Sequence, residues 1–174
     1  MNNNDRLVRL RYALDIKDAD MVEIFKLGGL EITKEDVKKM LDKSKKQKDE
    51  IAKEDEFQKN EYVKDCSNQT LECFLNGLII FKRGKKDSEV TEPEKPVSLI
   101  ITNKNVNNIL LKKIKIALSL TSDDMLGVLG NAGVEISKSE LSAVFRKEGH
   151  RNYKECGDRY ARNFLKGLAI AWRE

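Results

Sequence analysis

Histidine and cysteine are scarce in this chain. Its 174 residues include one histidine, His150, and three cysteines, Cys66, Cys73 and Cys156. One histidine cannot build a multi-histidine metal centre, and three cysteines that are not clustered do not form a zinc module. An odd cysteine count, without the spacing of a small secreted protein, fits a reducing compartment. We therefore expect a cytoplasmic protein that carries no metal and no cofactor.

Proline, aromatic residues and long apolar runs are also few. The two prolines, Pro93 and Pro96, lie in one segment, and aromatic residues make up 6% of the chain. The core must therefore consist mainly of aliphatic side chains. Apolar stretches such as residues 78–81 are far shorter than the roughly 20 residues of a membrane-spanning helix. We expect neither a membrane span nor a signal peptide.

An internal repeat is the strongest signal in the sequence. A shift of 104 positions aligns residues 3–43 with the C-terminal part of the chain, with 12 identities in 41 positions. After residue 43 the shift becomes 90, which aligns Cys66 with Cys156 and Gly77 with Gly167. The difference of 14 residues indicates a charged insertion in the first copy, near residues 46–59. The chain therefore contains two copies of one sequence unit.

Each copy has the apolar spacing of four helices, so we predict an all-α protein of two tandem four-helix repeats packed with pseudo-twofold symmetry. The first repeat covers residues 1–82, a linker covers 83–105, and the second repeat covers 106–174. Packing is favoured because a unit of about 70 residues has a marginal core by itself.

Several helix ends can be predicted in detail. Ser137 with Glu140, and Thr33 with Asp36, have the spacing of an N-cap and its capping-box partner. Asp158 is the predicted N-cap of the last helix. That helix is predicted to bury one apolar face, formed by Ala161, Phe164, Leu165, Leu168 and Trp172.

Several motifs together resemble the YehS-like family of bacterial proteins, which are built from a duplicated domain of unknown function. They are Asp20-Met21 with Gly29, residues 74–79 followed by 82–85, residues 108–113, residues 116–120 with Asp123-Asp124, and residues 155–158 leading to 164–168. The resemblance covers nearly the whole chain, apart from the insertion. It implies the two-copy architecture and a bacterial, cytoplasmic origin, and it implies no activity, substrate or catalytic residue.

Cys156 and His150, six residues apart, could act as a nucleophile and its base if the fold brings them together. The repeat argues against this role, because Cys156 aligns with Cys66 and the first copy has no histidine. A cysteine at the same helix entry in both copies is more simply a small buried residue. We expect no catalytic residue and no enzyme activity.

A basic surface on the second copy is the leading candidate for binding. Residues 103–174 contain 13 Lys and Arg against 8 Asp and Glu, whereas residues 1–102 contain 20 against 21. The candidate contacts for nucleic acid or another anion are Arg146, Lys147, Arg151, Tyr153, Lys154, Arg159, Arg162, Lys166 and Arg173. The last four lie on one face of the last helix. The first copy has Gln69, Glu72, Asn76 and Arg83 in their places, so the fold does not require the charges.

The function expected from the sequence is that of a non-enzymatic binding or regulatory module which contacts nucleic acid through its basic C-terminal helix. Residues 20–43 and 124–147 also have the form of helix-turn-helix units, although the charges on the first of them are mixed. The alternative is a protein-interaction module or homodimeric adaptor, which would use the repeat interface or the charged insertion. An ordinary solvated helix face also explains a run of charges.

Overall fold

A computed structural model describes residues 2–42, 62–83, 102–146 and 149–173, the side chain of Arg173 excepted. Eight helices lie within these ranges: α1 (Asn3–Leu14), α2 (Asp18–Leu27), α3 (Lys34–Leu41), α4 (Asn68–Arg83), α5 (Val106–Ala117), α6 (Ser122–Asn131), α7 (Lys138–Phe145) and α8 (Asp158–Arg173). Apart from a single bridge residue, Tyr62, this described part contains no β structure. The predicted all-α class is confirmed. The insertion near residues 46–59, most of the linker and Lys147 lie outside the described residues.

The helices of the two halves pack against each other across the middle of the molecule. The first helix, α1, packs against the last, α8, while α4 packs against α5. Within each half, α2 packs against α4, and α6 packs against α8. Buried side chains from both halves, such as Leu10, Phe74 and Phe164, therefore belong to one continuous apolar cluster.

Two buried asparagines fasten the loops around this core. The Asn4 amide donates to the carbonyl oxygens of Met40 (2.9 Å) and Lys64 (2.7 Å), and its Oδ1 accepts from the Cys66 amide (3.0 Å). Asn108 makes the same three bonds in the second half, to Val144 (2.9 Å), Lys154 (2.8 Å) and Cys156 (2.8 Å). Each side chain satisfies backbone groups that are otherwise shielded from water. They also join the first helix of each half to the end of the third and to the approach to the fourth.

Glycines allow two helix pairs to cross at backbone contact. A Cβ added to Gly77 of α4 would lie 1.7 Å from the carbonyl oxygen of Ile24 in α2. A Cβ added to Gly167 of α8 would lie 1.9 Å from the carbonyl oxygen of Val128 in α6. These distances are far inside van der Waals contact, so only glycine fits at either crossing.

The structure confirms the predicted N-caps Thr33 and Ser137, whose hydroxyls accept from the amides of Asp36 (3.1 Å) and Glu140 (3.2 Å). A full capping box would also have the carboxylate of Asp36 or Glu140 accept from the backbone amide of its cap residue. Neither of these bonds is present among the described residues. Full capping boxes instead begin α1, between Asn2 and Asp5, and α6, between Thr121 and Asp124.

The prediction that Trp172 faces inward is wrong. Its side chain is 42% exposed, in the last turn of α8. It borders a shallow groove whose other lining residues include Gly127 and Asn131 of α6. These residues are too small or too polar to cover an indole ring.

Candidate functional site

Three cations on α8, Arg159, Arg162 and Lys166, form what we call the basic face. Their side chains are exposed, on the side of α8 opposite the buried Phe164 and Leu168. In the described part of the chain, the ion pairs join other residues, and none involves these three. Among the described residues, the basic face is therefore a concentration of positive charge whose side chains form no ion pair.

The segment before α8 adds exposed cations, Arg146, Arg151 and Lys154. Its backbone is anchored, because the Lys154 amide donates to the Ala143 carbonyl (3.0 Å) and the Lys154 carbonyl accepts from Asn108 (2.8 Å). Tyr153 is half-buried, and its amide donates to the His150 carbonyl (2.9 Å). Lys147 and the side chain of Arg173 lie outside the described residues.

The matching positions of the first half have a different charge. Gln69, Glu72 and Asn76 on α4 correspond to the three residues of the basic face. The buried Lys113 of α5 donates to Asn76 Oδ1. Burial lowers the pKa of Lys113, and the nearby charge of Glu72 opposes that shift. The seam between α4 and α5 therefore pairs a cation with an acid and an amide.

Arg6 lies at the base of the basic face, where α1 meets α8. Its side chain is buried, and it donates to Asn107 Oδ1 (2.8 Å), Asn3 Oδ1 (2.9 Å) and Asp158 Oδ1 (3.1 Å). Burial lowers the pKa of Arg6, and the negative charge of Asp158 opposes that shift. The guanidinium thereby joins the two halves of the molecule.

The prediction that Asp158 caps α8 is wrong. Asp158 is the first residue of that helix, one position past the cap at Gly157, and its carboxylate accepts from Arg6 (3.1 Å) and Asn107 (2.9 Å). Burial opposes its ionisation, but the bond from Asn107 and the charge of Arg6 are among the interactions that hold its pKa below the usual value. The sequence offered no signal for this network, because Leu110 occupies the position that corresponds to Arg6.

Cys156 and His150 do not have the properties of a catalytic pair. Cys156 is buried, and burial raises the pKa of its thiol to about 12. The Cys66 thiol is also buried, and burial raises its pKa to about 12 as well. His150 is exposed, and its Nδ1 accepts from the Asn152 amide (3.1 Å). At neutral pH almost no thiolate is present at Cys156 to act as a nucleophile.

Thiol accessibility gives a direct check on these cysteines. We expect a thiol reagent at pH 8 to modify at most Cys73 in the folded protein, because Cys73 is the one cysteine that is not fully buried. The other two should react only after unfolding, and a Cys73→Ser variant should be inert when folded. Rapid labelling of Cys156 in that variant would contradict the burial described here.

The predicted helix-turn-helix units correspond to α2 with α3 and α6 with α7. On α3 the exposed side chains are of both signs, with Glu35 among Lys34, Lys38 and Lys39. On α7, Lys138 lies 3.1 Å from Asp123. The cations of α3 share their helix with acids, and the single cation of α7 is ion-paired, so net charge favours α8 as the binding helix.

The described ranges hold no group of three or more His, Cys, Asp or Glu side chains arranged to bind a metal ion. In the same ranges, each helix is too short or too polar to cross a bilayer.

Comparisons with known proteins bear on both halves of the chain. The family described as "Protein of unknown function (DUF1456)" matches residues 3–84 and 107–173. The "Uncharacterized protein YehS" of Escherichia coli (strain K12) is 39% identical over 170 residues, which covers 97% of this chain and 95% of that protein. No solved structure matches the chain significantly. The predicted resemblance to a YehS-like family is confirmed.

Proposed function

The chain belongs to the DUF1456 family of proteins of unknown function, and we propose that it binds nucleic acid through the basic face and the exposed cations before α8. The observation that carries this proposal is the absence of any described ion pair to Arg159, Arg162 or Lys166, all of which are exposed. An unpaired cation on a rigid helix is available to a phosphate at little conformational cost.

The geometry of α8 suits a phosphate backbone. At a rise of about 1.5 Å per residue, the three cations extend over roughly 10 Å of helix. Arginine offers a planar fork of donors that can grip a phosphate through two bonds, and lysine adds a point charge. Contacts of this kind depend on charge and are indifferent to base sequence.

We also propose that the chain is a cytoplasmic binding module and not an enzyme, built from two four-helix repeats related by pseudo-twofold symmetry. The matched hydrogen bonds of Asn4 and Asn108 support the repeat architecture. So does the reciprocal packing of α1 with α8 and of α5 with α4. The three unpaired cysteines are consistent with a reducing compartment.

Charge reversal on the basic face tests the proposed function. We expect the double variant Arg159→Glu with Arg162→Glu to bind a fluorescein-labelled oligonucleotide at least about tenfold more weakly at 50 mM salt, because two phosphate contacts become repulsions. Wild-type binding should weaken steeply as salt increases, and the slope of log affinity against log salt should be shallower in the variant. Fluorescence anisotropy measures both quantities.

The control is Lys34→Glu with Lys38→Glu on α3, which changes the net charge equally at exposed positions away from α8. It should bind nearly as well as wild type. Equal loss in both double variants would show a response to net charge alone, and absence of binding by wild type at 50 mM salt would overturn the proposal. The latter result would favour a protein-interaction module or homodimeric adaptor.

A further inference from the structure

The basic face continues across the seam onto α1. Arg6, near the start of α1, donates to Asp158, the first residue of α8, and the two helices pack against each other. From this contact, the two helices run in the same direction, side by side. Arg9 lies one turn after Arg6, and Arg162 lies one turn after Asp158. Arg9 is exposed, so from this register we expect a cation of α1 on the same side of the seam as Arg162.

The other seam supports this placement. Under the shifts that relate the two copies, Arg9 corresponds to Lys113, and Lys166 corresponds to Asn76. Lys113 and Asn76 are hydrogen-bonded across α5 and α4. By this correspondence we expect Arg9 opposite Lys166 at the seam of α1 and α8, with Arg162 in place of Glu72, although Arg9 is exposed where Lys113 is buried. The seam of α1 and α8 thus has three cations at the positions where the seam of α4 and α5 has one cation, one amide and one acid.

An exposed aromatic ring lies on the same helix as Arg9. Tyr12 follows Arg9 by one turn of α1, and its side chain is 60% exposed, the most exposed of the large hydrophobic residues in the described chain. An exposed ring beside a track of cations is the arrangement that binds single strands, because each unpaired base presents a face for stacking. Bases inside a duplex are already stacked and cannot use such a ring.

We infer that the binding site is a surface of two helices, to which α1 contributes Arg9 and Tyr12, and that its ligand is single-stranded nucleic acid. The inference rests on the proposed function of the basic face. The phosphates follow Arg9, Arg162 and Lys166, and one base stacks on Tyr12.

The test compares a labelled oligo-dT of about 12 nucleotides, within the usual site size, with a duplex of equal length. Wild type should bind the single strand more tightly. Tyr12→Ala should weaken binding to oligo-dT roughly 5- to 100-fold with little change in salt slope, whereas Tyr12→Phe should bind like wild type because stacking needs no hydroxyl. Arg9→Glu should weaken binding about 3- to 10-fold and reduce the salt slope.

Ile116→Ala is the matched control, since Ile116 is the exposed residue of α5 that corresponds to Tyr12. Its affinity for oligo-dT should equal that of wild type. If the α8 double variant loses binding while Arg9→Glu and Tyr12→Ala retain it, the two-helix site is overturned and the proposed function stands. Tighter binding of the duplex overturns the single-strand assignment. If wild type binds neither probe, both proposals fail.

Discussion

Replacing Gly167 with alanine is expected to lower the free energy of unfolding by about 3 kcal/mol or more, or to prevent folding altogether. The new Cβ would lie 1.9 Å from the Val128 carbonyl oxygen, and both atoms belong to helix backbones. No rotamer change can relieve the overlap, so α6 and α8 must move apart and lose contact along their shared face. Gly77→Ala should be equally severe, because its Cβ would lie 1.7 Å from the Ile24 carbonyl oxygen.

Gly127→Ala is the matched control for this substitution. Gly127 is also a helix-interior glycine, in α6, and a Cβ there meets no atom within 4 Å. Alanine should therefore raise stability by roughly 0.5–1 kcal/mol through its better helix propensity. Urea unfolding followed by circular dichroism measures both variants. A stable Gly167→Ala protein would show that α6 and α8 do not cross as closely as described.

The second large effect is expected from Asn108→Asp, which should cost roughly 2–5 kcal/mol. The substitution keeps the shape of the side chain but removes the amide that donates to the Val144 and Lys154 carbonyl oxygens. A carboxylate oxygen would then face these two carbonyl oxygens at a buried position, with no hydrogen between them. The loop that leads from α7 to α8, which carries Arg151 and Lys154, should then lose its anchor.

The pH dependence of this variant has a definite sign. Burial raises the pKa of a carboxyl at position 108 in the folded state above that in the unfolded chain. The folded state therefore retains a proton that the unfolded state releases, and the variant becomes less stable as the pH rises from about 4 to 7. Asn152→Asp, at an exposed position, should change stability by less than about 0.5 kcal/mol. Equal losses in the two variants would show that the Asn108 bonds contribute little.

Local features of the fold were predictable because they depend on neighbouring residues. The caps at Thr33 and Ser137 follow from hydroxyl side chains placed just before apolar helices. The burial of Cys66 and Cys156 follows from their matching places in the two copies. The positions of Arg159, Arg162 and Lys166 on one exposed face follow from the helical period and the apolar positions between them.

Features that depend on contacts between distant residues were not predictable in the same way. Asp158 has the sequence context of a cap. In the fold, its carboxylate instead accepts a hydrogen bond from the guanidinium of Arg6, which belongs to the other half of the molecule. Trp172 has the spacing of a buried residue, but the part of α6 that it meets contains Gly127 and Asn131. In both cases the deciding atoms are far away in the sequence.

The sequence by itself determined the helices, the repeated unit and the excess of positive charge in its second copy, because each of these depends on local spacing or composition. The tertiary structure alone decided which helices meet. Repeated apolar faces are nearly interchangeable, so periodicity could not show that α1 packs against α8 and α4 against α5. That pairing places α1 of the first copy against the helix that carries the basic face, and the proposed two-helix site depends on it.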